Sequence, residues 1–356
     1  MILDSVDELL KHPASFLDDS GPDDDIAISS RIRLARNLKD RPFPDAAGPA
    51  ELAALGEEIS AAAARIGVFK ADGAYRFVPE RMSDADRRVL LERRLVSKEF
   101  LARKTGTRLL VCPQEACSLM VNEEDQLRLQ VIRPGLQLEQ VWREINALDD
   151  ELSRQITFAF DETLGYLTSC PTNVGTGMRV SAMLHLPGLV LAKQMSATIH
   201  GIGKLRMAVR GIFGEGSENI GCLFQISNQS TLGESETQII ANMLRIVKRL
   251  INWEKLARRK LLEYRRSHLL DYVGKAYGLL RHSYRLTENE ALGALSGLRL
   301  GVDLGLFQGI DVHTVNELFL EVSPAHLRKL SGSDFDDQDP DELRAAYCRG
   351  KLSREA

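Results

Sequence analysis

The chain has 356 residues, 44% apolar and 27% charged, with a net charge of -4 and a pI near 6.0. That composition belongs to a soluble globular protein with room for a sizeable core, and it offers no global positive field to nucleic acid or to an anionic membrane. No run of 18 or more apolar residues occurs and Met1-Ile2-Leu3-Asp4 lacks the layout of a secretory signal, so a cytoplasmic protein is expected. Five scattered cysteines, Cys112, Cys117, Cys170, Cys222 and Cys348, form no CxxC pair and read as free thiols of a reducing compartment.

Residues 1–25 run from a short helical pattern into Ser20-Gly21-Pro22 and three aspartates, so ordered structure is expected from near Ile26. Strand alternation follows at Ile26–Leu34, Thr107–Val111, Gln126–Ile132, Arg179–Leu186, Leu205–Ile212 and Gly221–Asn228. Helical patterns lie between them at Ala50–Ile66, Leu136–Thr157 and Pro187–Ile199. The mixture predicts an α+β fold, a largely antiparallel sheet flanked by helices. From about Gly233 the pattern is almost wholly helical, with a long amphipathic stretch at Ala241–Arg266 and a capping box at Thr287-Glu288-Asn289-Glu290. The expected plan is an N-terminal segment (1–25), a catalytic domain (26–250) and a C-terminal all-helical domain (251–356) that ends through an acidic, turn-rich run at 334–342.

No phosphate loop of the usual kind is present: Gly201-Ile202-Gly203-Lys204 is followed by Leu205 where Ser or Thr is needed. The chain offers arginines on strands instead. In Ser29-Ser30-Arg31-Ile32-Arg33-Leu34, alternation sends Arg31 and Arg33 to one face and Ile32 and Leu34 to the other. Arg128 shares a face with Gln126 and Gln130, Arg179 leads Val180-Ser181-Ala182-Met183, and Arg210 meets the glycine loop Gly211-Ile212-Phe213-Gly214-Glu215. Each alone is an ordinary strand arginine, but five from four strands suit a polyphosphate clamp, because a guanidinium pairs bidentately with phosphate oxygens. In Asn122-Glu123-Glu124-Asp125 the run of three acids reads by itself as a solvated turn, whereas a guanidinium substrate would demand such carboxylates. Cys170 lies in the turn-rich Cys170-Pro171-Thr172-Asn173-Val174-Gly175-Thr176-Gly177, where a thiolate of lowered pKa is expected, whereas His185 reads as a hydrogen-bonded strand histidine.

The stretches SSRIRLARN (29–37), NEEDQLRLQ (122–130), YLTSCPTNVGTGMRVSAMLHLP (166–187) and RGIFGEGSENIGCLFQISNQSTLGESE (210–236) resemble the phosphagen kinases, most closely the bacterial McsB-type protein-arginine kinases. The resemblance implies ATP-binding segments at Ser29–Arg33, Arg128, Arg179–Met183 and Arg210–Glu215, with Arg31, Arg33, Arg128, Arg179 and Arg210 on the phosphates and Mg²⁺ held mainly by nucleotide and water. It also implies that Glu124 and Glu215 grip a guanidinium and that Cys170 sits beside it. Kinases of free arginine or creatine carry a helical domain ahead of the SSRIR-like strand; here 28 residues precede Ser29, which favours protein arginine over a small guanidino substrate. A catalytically dead phosphoarginine-binding scaffold is a third reading, disfavoured by the intact arginine and glutamate set.

Three positions depart from the family. Gln126 and Arg94 stand where His is usual, and Pro340 replaces the leading Arg of an RDxxRA sequence, leaving Asp341, Arg344 and Ala345 of a degenerate phosphoarginine site. Also implied are a zinc-binding activator, an AAA+ unfoldase with its protease, a transcriptional repressor as target, and a homodimer; Phe307, Val315, Leu318 and Leu320 could lend it apolar surface, and core packing explains them equally well.

Overall fold

The alternation around Arg31 becomes a strand because its two faces meet different partners. The protein, seen here as a computed structural model, is described over residues 2–17, 21–103, 105–211, 220–332 and 339–353. In it β1 (Ala27–Arg36) buries Ile32 and Leu34 completely on one side and leaves Arg31 and Arg33 half-buried on the other. β2 (Tyr75–Phe77), β3 (Arg108–Val111), β4 (Cys117–Val121) and β5 (Leu127–Pro134) precede a two-residue hairpin, β6 (Phe160–Asp161) and β7 (Gly165–Tyr166). β8 (Met178–His185), β9 (Met207–Gly211) and β10 (Leu223–Asn228) complete the set. Among the described residues eight of these strands form one antiparallel sheet in the order β2-β3-β4-β5-β1-β8-β10-β9.

The apolar face of this sheet carries Leu34, Leu129, Val180 and Ile226, and is covered by the helices Pro49–Ala63, Leu138–Ser153 and Glu236–Tyr264. Each presents a stripe at three- and four-residue spacing, such as Leu138, Val141, Ile145, Leu148 and Leu152. The opposite face is covered only at its ends. Toward β2, Val6, Leu9, Val89, Leu90 and Phe100 pack on Tyr75, Leu109 and Met120. Toward β8 and β10, the C-terminal helices close over His185, whose Nε2 lies 2.8 Å from Ser296 Oγ. The arginine strip occupies the middle.

Several elements differ from the sequence reading, each for a physical reason. Order begins well before Ile26: Val6–Leu9 is helical, Ser15–Leu17 is a 3₁₀ turn, and Val6, Leu9, Phe16 and Leu17 are buried against the sheet. β4 is buried on both faces, so Cys117-Ser118-Leu119-Met120-Val121 shows no polar alternation to mark it. The helix expected over Pro187–Ile199 divides into Pro187–Leu191 and Met195–Gly203, because Lys193 takes a left-handed φ of 57°. Part of the acidic run expected at 334–342 belongs to a helix, Pro340–Ser353, and its residues 334–338 lie outside the described residues. The capping box at Thr287 and Glu290 forms as expected.

One helix, Glu236–Tyr264, runs across the expected boundary at 250/251 and ties the two regions through buried charge. Glu254 accepts hydrogen bonds from the backbone N–H groups of Gly188 (2.7 Å) and Leu189 (2.8 Å) and pairs with Arg258 at 2.8 Å. Arg258 continues to Asp303 (3.2 Å) and to the carbonyls of Asp25 and His185, while Arg299 joins Asp303 to Asn316 and the Asp24 carbonyl. Removing one partner strands the others without water, so Glu254→Ala is expected to lower the unfolding free energy by about 3 to 5 kcal/mol. Urea unfolding of the variant checks this; a loss below about 1 kcal/mol would show that the network does not tie the regions together.

Candidate active site

Register builds the site. β1 lies between β5 and β8, with Arg31 opposite Ser181 and Arg33 opposite both Arg179 and Gln130. Arg128 stands one diagonal step from Arg33, within reach of a long side chain. Farther along, Gln225 of β10 pairs with Met183 on one side and Arg210 on the other. Arg128, Arg31, Arg33, Arg179 and Arg210 therefore share one face, as alternation predicted.

These cations crowd one another. Burial, followed by the charges of Arg33, Arg94, Arg179 and Arg128, holds the Arg31 guanidinium well below its ordinary pKa. Burial and then the charges of Arg128 and Arg179 bring Arg33 down to about 9, partly offset by Glu123 and Glu99. Burial takes Arg94 down to about 10. Neutral groups help to steer the strip: Arg31 Nη2 donates to Gln225 Oε1 at 2.8 Å and its Nε to Ser181 Oγ at 3.4 Å, and Arg179 Nη2 donates to Ser227 Oγ at 3.4 Å. Such a surface is preorganised for a multiply charged anion, since each oxygen bound relieves repulsion already present.

The acidic loop is not a solvated turn. Glu123 and Asp125 are fully buried, whereas the Glu124 side chain is 38% exposed. Glu123 accepts from Arg128 Nη1 at 2.8 Å and from the Ser97 hydroxyl. Glu124 accepts from Arg128 Nη2 at 3.0 Å and, at 3.5 Å, from Asn173 Nδ2. Asn122, at φ 59°, anchors the loop by donating to the carbonyls of Leu52 and Gly106. Asp125 Oδ1 accepts from both Asn37 Nδ2 and the Ser169 backbone N–H at 2.7 Å, so one buried carboxylate fastens the acidic loop to the cysteine loop. Cys170, half-buried, then opens a 3₁₀ turn with its Sγ 3.0 Å from Thr172 Oγ1. The turn returns to the sheet through Gly175 (φ 109°) and Gly177 (φ 62°). A Cβ on the first would collide with the Thr231 carbonyl, and one on the second would lie 2.6 Å from the Ala35 carbonyl.

Arg36 stitches these parts together: it pairs with buried Asp149 at 2.8 Å, donates to the Ala35 and Thr176 carbonyls, and lies 3.4 Å above the Tyr166 ring centroid. Gln126, where His is usual, is completely buried; its Oε1 accepts from the Leu38 backbone N–H at 2.6 Å and its Nε2 donates to the Pro42 carbonyl at 3.0 Å. Ser29, Ser30, Ile32, Val180, Ala182 and Met183 serve as buried strand positions around the clamp. Ser30 Oγ bridges the Gly135 carbonyl and the Gln137 N–H. Gly211 ends β9, while Ile212, Phe213, Gly214 and Glu215 lie outside the described residues. Asp341 and Arg344 belong to the helical region, where buried Arg344 donates to the Val322 and Leu286 carbonyls and to Asp341. Val315 and Leu318 are core residues there, the core-packing reading of the two that the sequence left open.

Sequence reasoning missed Gln225, Ser227 and Glu123 as partners of the clamp, and it met Arg94 only as a departure from the family. The alternation of Leu223–Asn228 does place Gln225 and Ser227 on one face, and that was the available signal. Removing a cation should relieve the strip: Arg33→Met is expected to melt higher than the unmodified chain yet lose most of the rise in Tm that millimolar tripolyphosphate produces. Thermal melts with and without the anion check this, and a lower Tm for the anion-free variant would contradict it.

A family model described as ATP:guanido phosphotransferase, C-terminal catalytic domain, matches residues 57–257, and one described as Protein-arginine kinase McsB C-terminal domain matches residues 266–356. The protein-arginine kinase of Moorella thermoacetica is 42% identical over 345 residues, 97% of this chain and 99% of its own. That of Syntrophomonas wolfei is 44% identical over 331 residues, 92% of each chain. Among solved structures, the duplicated taurocyamine kinase of Schistosoma mansoni with bound transition-state-analogue components aligns at a TM-score of 0.59 and 25% identity. That alignment covers 71% of this chain and 36% of that one. Lombricine kinase shares the fold at a TM-score of 0.57 and 22% identity over 68% of this chain and 70% of its own. The chain therefore belongs to the ATP:guanido phosphotransferase family and, within it, to the protein-arginine kinases.

Proposed function

We propose that the arginine strip holds the triphosphate of ATP and that Glu124, at its open edge, receives an arginine side chain of a protein substrate. The observation that carries this reading is the position of Glu124: a carboxylate held by Arg128 on one side, open on the other, and joined through Asn173 to the cysteine loop. The strip supplies donors to phosphate and Glu124 supplies an acceptor to a guanidinium, so the two substrates meet at Arg128. The apolar cleft of about 370 Å³ lined by Ile28, Arg94, Leu223 and Phe319 suits the adenine.

The reaction asks for positioning and charge neutralisation. A guanidinium nitrogen attacks the γ-phosphorus, the bond from that phosphorus to the β–γ bridging oxygen breaks, ADP leaves, and the nitrogen's proton passes to a carboxylate. Glu124 orients the fork with its two acceptor oxygens, Glu215 is assigned the matching carboxylate, and Cys170 lies beside the guanidinium. Arg31, Arg33, Arg128, Arg179 and Arg210 offset the charge on the transferring group. Mg²⁺ fits this donor set as a companion of the nucleotide: a strip of cations repels a bare metal ion, and among the described residues no three acids, histidines or cysteines converge on one point. When bound with the nucleotide it would draw off negative charge.

The wider setting, protein quality control in the cytoplasm by a homodimer working with an activator and an unfoldase-protease, is an extension of family membership. Asp341 and Arg344 are assigned to a reduced phosphoarginine site on the same basis.

Glu124→Gln should fold, melting within about 2 °C of the unmodified chain, and should lose about a hundredfold or more in phosphorylation of an unfolded protein. Acid-labile phosphoarginine, measured with ATP and either unfolded casein or free arginine, is the readout. Undiminished turnover by Glu124→Gln would refute the role of that carboxylate, and equal rates on free arginine would refute the preference for protein.

A further inference from the structure

A second concave surface lies on the other side of the sheet, away from the arginine strip. The helix Met195–Gly203 stands apart from the second half of the helix Glu236–Tyr264, and the slot between them encloses about 720 Å³. Its floor is the edge of the main core: Leu189, Ile202, Ile246 and Leu250 are all buried there. Its lips are apolar but wet, with Leu205 50%, Trp253 43% and Leu256 47% exposed. A large aromatic and two leucines held open around a deep apolar floor exceed what scattered surface residues explain.

The rim of this slot carries Lys204, Arg245, Arg249 and Lys260, and among the described residues no acidic side chain lines it. Among the described residues none of the four has a carboxylate partner; Arg245 donates to Asn242 on its own helix. The chain as a whole is net negative, so this concentration of one sign is local. Arg245, Arg249, Trp253, Leu256 and Lys260 recur at spacings of four, four, three and four and form a single stripe. From Arg245 to Lys260 the stripe extends about 22 Å, the length of roughly four helical turns. Apolar floor, cationic rim and helical length together describe a groove for an amphipathic helix.

We propose that this groove docks an acidic amphipathic helix of another protein, seating its apolar side chains between Trp253, Leu256 and Leu205 while its carboxylates meet the four rim cations. Charge complementarity selects that occupant. A nucleic acid would find four cations but an apolar floor with nothing to pair, and an extended membrane surface could not enter a slot between two helices. Because the sheet separates the groove from the arginine strip, a partner can hold the enzyme here while both substrates have access to the other face.

The test uses the full chain and two fluorescein-labelled helical peptides of about 18 residues that share leucines at i, i+3, i+4 and i+7, one with Glu and the other with Lys at the remaining positions. Fluorescence anisotropy should show saturable binding of the Glu peptide and at least about tenfold weaker binding of the Lys peptide. Arg249→Glu and Trp253→Ala should each weaken the Glu peptide several-fold without changing kinase turnover. Arg259→Glu, an equal change in net charge on an exposed neighbour outside the groove, should not. The proposal is overturned if both peptides bind equally, or if Arg249→Glu and Arg259→Glu have the same effect. It is also overturned if phosphatidylglycerol vesicles or a single-stranded oligonucleotide depend on Arg249 and Trp253 more strongly than the peptide does. Loss of self-association in Trp253→Ala by sedimentation, with peptide binding intact, would assign the groove to a second copy of the chain instead.

Discussion

The arginine face depends on a repulsion that the fold must sustain. Arg31 and Arg33 project from β1 toward Arg128, Arg179 and Arg94, and burial among these like charges disfavours their charged forms. What holds them is backbone register. β1 is paired on both sides along nearly its whole length, and its other face buries Ile32 and Leu34 in the largest apolar cluster of the molecule. Each fully buried aliphatic side chain contributes about 1.5 to 3 kcal/mol, so the back of the strand stabilises a front that would otherwise splay.

That division explains what the sequence disclosed and what it hid. The arginine face was legible because period-two alternation is local, and in Ser29–Leu34 and Leu127–Gln130 the two faces differ sharply in polarity. The acidic loop was misread as a solvated turn because the burial of Glu123 and Asp125 comes from Ser97, Asn37 and Ser169, groups distant in sequence that no local pattern announces. β4 was invisible for the opposite reason: with both faces buried it has no alternation at all. The order of residues 1–17 was hidden too, since their apolar side chains have value only once β2 and β3 are in place to receive them.

The helical region is joined to the catalytic sheet at a defined place. β8 carries Arg179 and Ser181 in its first half and His185 at its end, and that end is enclosed by Ser296, Phe319 and the Arg258 guanidinium. Burial, reinforced by the charges of Arg258 and Arg299, keeps the His185 ring well below its ordinary pKa and therefore neutral. A neutral ring fits a junction already crowded with two buried arginines, where a third cation would face both without a carboxylate of its own. The junction thus joins the helices to the strand that carries Arg179.

Gln126 is a neutral support at the other end of the site. Its side chain accepts from one backbone N–H and donates to one backbone carbonyl, so the position requires one acceptor and one donor about an amide's width apart. A neutral imidazole offers one of each as well, so either side chain could hold this position without disturbing Glu124 and Asp125 just before it. The two solutions differ in acid. A buried histidine that gains a proton loses its acceptor and would release the Leu38 N–H, whereas glutamine keeps both groups at every pH. With Gln126 below the acidic loop and a neutral His185 at the far end of β8, hydrogen bonds of uncharged side chains stand beside the buried ion pairs Arg36–Asp149 and Arg258–Glu254 as supports of the arginine strip. The framework that aims the arginine face thus combines uncharged hydrogen bonds with buried charges that are paired.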